Sequence, residues 1–195
     1  MFIVLPRFRL RISVFALPLV LLMLWCEGVL PFSVLMLSAA FHEAGHIFAL
    51  RYLGYRIRRM DILPMGALIV CPEGIPYHDE YKIALSGPLA SLIFALVASI
   101  LFSLTGGTIW FFCLLINLVL GLFNLMPIKK LDGGKALCCF ILAKQKNAEP
   151  LCSAISILFK FLFLVLLGLA VACSEFNIGV LLLSLALIFQ LFSEK

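Results

Sequence analysis

"SAAFHEAGHIFAL", residues 38–50, sets two histidines and a glutamate inside an otherwise apolar stretch. The surrounding run, residues 30–50, has about the length of a bilayer-crossing helix, roughly 17–25 residues. An ionisable side chain at the centre of such a helix carries an insertion penalty of about 2.5–3.5 kcal/mol. His42, Glu43 and His46 therefore need a reason to be there.

The composition supports the membrane reading. Of 195 residues, 64% are hydrophobic and 13% are charged, far from the balance of a soluble domain. A soluble fold of this size has too little interior to hide so much apolar surface. The formal net charge of +5 does not point to nucleic acid, because the basic residues sit at the ends of apolar runs. The seven cysteines form no CxxC pair and read as small apolar packing residues.

Working outward from the quoted stretch, six apolar runs are legible: residues 12–25, 30–50, 83–103, 109–126, 155–173 and 178–192. The first follows a basic start like a secretory leader, but it lacks a small-residue cleavage site and reads as a retained helix. The positive-inside rule tests the count. Arg7, Arg9 and Arg11 precede the first run. Arg51, Arg56, Arg58, Arg59 and Lys82 lie between the second and third. Lys129, Lys130, Lys135, Lys144 and Lys146 follow the fourth, and Lys195 follows the sixth. Lys160, near the start of the fifth run, can snorkel to the same side. Six spans put every Lys and Arg on one face, with both termini cytoplasmic.

Two segments between runs do not span. "YRIRRMDILPMGALIVCPEG", residues 55–74, has β-branched residues flanking a Pro64–Gly66 turn and predicts a short membrane-surface hairpin between the second and third helices. "NLMPIKKLDGGKAL", residues 124–137, breaks the fourth helix at Pro127. The apolar stretch that follows is too short to cross and predicts an interfacial or buried helix. The expected fold is an all-α polytopic membrane protein with about six transmembrane helices and one short surface hairpin.

The chemistry follows from spacing. Positions i and i+4 share a helix face, so His42 and His46 can offer imidazole nitrogens to one ion. Glu43 follows the first of them, as in the HExxH pattern of zinc hydrolases. Zinc with three protein ligands keeps an open position for water, and a nearby carboxylate can take that water's proton. Asp132, in "LDGG", is the candidate third ligand, because the topology brings it to the same cytoplasmic side. His78 sits in the polar segment "PYHDEY" and reads as a solvated loop residue.

Three elements in this order resemble the site-2 protease family of intramembrane zinc metalloproteases: "HEAGH", "SGPLAS" and "NLMPIKKLDGG". Within the family, the chain looks like the stage IV sporulation protein FB branch. The resemblance implies one zinc ion held by His42, His46 and Asp132, with Glu43 catalytic. It implies a substrate-binding or supporting role for Asn124, Pro127 and Gly133. It also implies a membrane-associated protein substrate, such as a sporulation sigma-factor precursor, and restraint by membrane-protein regulators, in a bacterial inner membrane. Many relatives carry Asn where this chain has Ser91, so no role is assigned there. The expected organisation is a single membrane-embedded domain over residues 1–195, with a core at 30–137, accessory helices at 12–25 and 155–192, and no PDZ or CBS domain. The rival reading is a non-catalytic membrane metal-binding protein or metal transporter, since intramembrane His and Asp also mark ion pathways. Against transport, the candidate ligands cluster on one side.

Overall fold

A computed structural model describes residues 2–5, 10–13, 28–57, 59–63, 66–70, 74–145, 147–173 and 188. Its helices follow the apolar runs. Helix α1 is Val29–Tyr52, α2 is Tyr77–Thr105, α3 is Thr108–Asn124, α4 is Asp132–Lys144 and α5 is Glu149–Cys173. At 1.5 Å per residue, α1, α2 and α5 are about 36, 43 and 37 Å long, against a hydrocarbon core of about 30 Å. By length and composition these three can cross a membrane, and α3 is a shorter apolar helix.

Glycine and proline place the helix ends. α1 stops at Leu53, and Gly54 follows with a φ of 83°. α2 ends on Gly106, whose left-handed backbone lets its N–H bond the Phe102 carbonyl at 2.8 Å. The Gly106–Gly107 turn sends α3 back along α2. α3 stops at Asn124, three residues before Pro127, and α4 starts at Asp132.

The helices pack as membrane helices do. α2 turns Ala84, Gly87, Pro88, Ser91, Ala95 and Ala98 inward, while its Leu89, Ile93, Leu96 and Ile100 face out. In lipid, small side chains let backbones approach and large apolar ones face the acyl chains. Gly45 of α1 and Gly87 of α2 leave room for the facing helix. A Cβ on Gly45 would meet the Ser86 carbonyl oxygen at 2.5 Å. A second contact joins α1 to α3, where the Asn117 amide donates to Ser38 Oγ at 2.8 Å. α5 packs Phe159 and Phe163 against Ile128 and Leu131, in the segment between α3 and α4.

Four strands form one sheet in the order β1-β2-β3-β4: Phe2–Leu5, Leu10–Ser13, Arg59–Leu63 and Gly66–Val70. β3 and β4 pair antiparallel, with Leu63 opposite Gly66. β2 runs parallel to β3, Arg11 opposite Asp61, and β1 pairs antiparallel with β2. The sequence reading had a two-stranded hairpin and a first helix beginning at residue 12. Residues 12 and 13 instead belong to β2, so the chain before α1 starts in the sheet. The sign was present, since Arg7, Arg9 and Arg11 alternate with Phe8, Leu10 and Ile12. That period of two favours a strand. The rest of the expected first helix, residues 14–25, lies outside the described residues. So does the expected sixth, residues 178–192, apart from Ile188. The count of six spans therefore exceeds the three span-length helices found among the described residues.

Candidate metal centre

The i, i+4 spacing does what the sequence predicts. His42 and His46 both lie on the buried face of α1, 5% and 9% exposed. Their rings sit edge to face, with centroids 5.1 Å apart. Asp132 reaches them from the first turn of α4. Its Oδ2 lies 3.0 Å from His42 Nε2 and 3.2 Å from His46 Nε2. Two ligands of a tetrahedral zinc, each at about 2.0–2.1 Å, stand about 3.3–3.4 Å apart. The observed spacings are close to that.

Glycines let Asp132 get there. A Cβ on Gly133 would collide with the Leu125 carbonyl, and one on Gly134 with the Ile128 carbonyl. The turn after α3 can therefore fold flat against the start of α4. α5 holds the turn from the other side: Lys129 N–H donates to Ser156 Oγ at 3.0 Å, and Lys129 Nζ to Ser153 Oγ at 2.7 Å.

The far sides of both imidazoles are also held. His46 Nδ1 lies 2.8 Å from the Ile83 carbonyl, and His42 Nδ1 lies 2.9 Å from Ser91 Oγ. A carbonyl can only accept, so His46 Nδ1 carries the proton. In the neutral ring Nε2 is then a lone pair aimed at a carboxylate oxygen. Two acceptors facing each other need a cation between them. One ion between Asp132 Oδ2 and both Nε2 atoms satisfies all three, and these residues form the three-donor group within 4.8 Å found among the described residues. The donor set, two imidazoles and a carboxylate, suits zinc. Burial acts against the ionised form of the Asp132 carboxyl, and the Lys135 charge, 3.8 Å away, favours it.

Glu43, half-buried, follows His42 on α1. His78 is elsewhere: its side chain is 69% exposed and lies 3.5 Å from Asp79. Asn124 donates its amide to Leu120 of its own helix at 2.9 Å. A cavity of about 240 Å³ is lined by Glu80, Lys129, Lys135, Cys138, Cys139 and Cys152, among others. Burial pushes the Cys139 thiol up to about 12 and the Cys138 thiol up to about 11, so both stay protonated at neutral pH.

A model of peptidase family M50 matches residues 31–109 and 104–167, which takes in every side chain of the centre. The chain belongs to peptidase family M50. This is the site-2 protease family that the motifs resemble. A solved site-2 protease from Methanocaldococcus jannaschii superposes with a TM-score of 0.70 at 24% identity, over 100% of this chain and 94% of that one. The two share a fold. A zinc metalloprotease of Methanocaldococcus jannaschii is 33% identical over 111 residues, 54% of this chain and 32% of that protein. Stage IV sporulation protein FB of Bacillus subtilis is 31% identical over 111 residues, 53% of this chain and 37% of that protein. The matches thus span about a third of the length of these curated relatives.

Sequence reasoning did not foresee three contributors to this M50 centre. The Ile83 carbonyl is backbone and leaves no mark in a motif. Ser91 carries no motif signal of its own. Gly87 belongs to the "SGPLAS" element, and a Cβ there would strike the His46 ring.

Proposed function

We propose that this chain is an intramembrane zinc metalloendopeptidase that cuts membrane-associated proteins near the cytoplasmic face. The observation that carries the reading is the convergence of His42 Nε2, His46 Nε2 and Asp132 Oδ2 next to an intact Glu43. When bound, a zinc ion supplies Lewis acidity, polarising the scissile carbonyl and lowering the pKa of a water to about 7. His42, His46 and Asp132 hold the ion. Glu43 takes a proton from the attacking water and gives it to the leaving amine nitrogen as the C–N bond breaks.

The site's depth sets the demands on the substrate. His42 and His46 lie in the second half of α1, toward the end that carries Arg51, which shortens the path for water from the cytoplasm. A helical substrate must unwind to offer its carbonyl carbon. β4 is an edge of the described sheet, and an extended peptide can add there as a further strand. The integral membrane placement agrees with the span-length helices. A bacterial inner membrane, both termini cytoplasmic and membrane-protein regulators complete the reading. A sporulation sigma-factor precursor as substrate has the likeness to the Bacillus subtilis protein as its support.

Purified Glu43→Gln tests the assignment. It is expected to keep one zinc per chain by elemental analysis and to lose cleavage of a co-expressed membrane precursor by about 10²–10⁴-fold. Retained cleavage would remove Glu43 as the base. Zinc flux through the reconstituted parent protein would favour the transporter reading.

A further inference from the structure

The two histidines are held by chemically different acceptors. His46 Nδ1 meets a backbone carbonyl, which no side-chain substitution removes. His42 Nδ1 meets a hydroxyl at 2.9 Å, from a serine that is fully buried in α2. The antiparallel pairing of α1 and α2 explains the pattern. Ile83, near the start of α2, lies beside His46, near the end of α1. Ser91, two turns further along α2, lies beside His42, one turn back along α1.

We propose that Ser91 is the positioning residue for His42. Its Oγ accepts the Nδ1–H and so fixes both the tautomer and the rotation that turn Nε2 toward Asp132. An imidazole with no acceptor at Nδ1 has two costs. Its N–H is buried and unpaired. The alternative tautomer, with the proton on Nε2, then competes with metal binding. Outer partners of this kind typically change metal affinity or activity 10–100-fold. Ser91 thus sets the strength of one ligand from outside the ligand set. The inference rests on the metal-centre reading above and concerns which residue orients the ring.

Two pairs of variants isolate the hydroxyl. Ser and Ala differ at position 91 by the oxygen alone, and Ala adds no bulk. Thr and Val share one shape and differ only in the hydroxyl, so Ser91→Thr against Ser91→Val tests the same atom at constant packing. The readout is the zinc dissociation constant of the full chain in detergent, by chelator competition. Ser91→Ala is expected to weaken zinc binding about 10–100-fold. Ser91→Val is expected to bind zinc at least about tenfold more weakly than Ser91→Thr. Ser38→Ala removes another buried hydroxyl of the bundle, one that bonds Asn117, and is expected to leave zinc affinity unchanged. Equal affinities within both pairs overturn the proposal, as does a Ser38→Ala loss as large as that of Ser91→Ala. A parent chain that binds no zinc would instead overturn the metal-centre reading itself. The two failures are therefore distinguishable.

Discussion

His46 illustrates how tightly a single side chain is constrained here. Ile83 holds its Nδ1, Asp132 faces its Nε2, and Gly87 supports the ring from α2. A methyl group at position 87 has nowhere to go except into that imidazole. Gly87→Ala should therefore displace the ring, at a cost of about 1–3 kcal/mol, the usual range for overpacking. Zinc titration should show affinity weakened about five- to 150-fold, since each 1.4 kcal/mol is a factor of ten. Unchanged affinity would mean that α2 yields instead of the ring. The two candidate histidine ligands were legible in the sequence, because i, i+4 spacing is a local property of one helix. Gly87 and Ser91 were not, because their roles depend on which residue of α1 they face. That facing is a register between helices, and no local pattern encodes it.

At the scale of elements, Asp132 is only as well placed as the turn that carries it. Residues 125–131 lie between α3 and α4, and α5 braces them through Ser156, Ser153, Phe159 and Phe163. The Lys129 N–H to Ser156 bond is the buried part of this brace, since Ser156 is 4% exposed. Removing the acceptor leaves a backbone donor unpaired, at about 1–3 kcal/mol. Ser156→Ala should speed amide hydrogen exchange across residues 125–131 and weaken zinc binding several-fold. Exchange rates matching those of the parent would show that the aromatic contacts suffice. The apolar run of α5 read from sequence as an accessory helix. Its service to the metal site was hidden, because Ser156 looks like any small polar residue in a span until its partner is known. The parallel pairing of β2 with β3 was hidden for a similar reason. The alternation in residues 7–12 suggests a strand, but its partner lies some fifty residues later.

For the whole molecule, charge and length make one claim that can be tested directly. α2 runs about 43 Å, from a polar first turn with Asp79 and Glu80 to the uncharged Gly106–Gly107 turn. Lys129, Lys130, Lys135 and Lys144 cluster beyond the opposite end of α3. In a chain with its native cysteines replaced, single cysteines at Gly107 and at Lys144 should label from opposite sides of sealed vesicles. Labelling from one side would mean that α2 and α3 do not cross. The sequence by itself determined that this is a membrane protein, where its apolar runs lie, and that His42 and His46 share one helix face, with Asp132 as their candidate partner. Those properties reside in composition, in helix periodicity and in the sidedness of Lys and Arg, all of them readable along one chain. Only the tertiary structure decided the sheet that takes in residues 10–13, the glycine approach of α1 to α2, and the acceptors behind each imidazole. These depend on small-residue packing between helices and pairing between distant strands, where energy comes from contacts that sequence distance does not reveal.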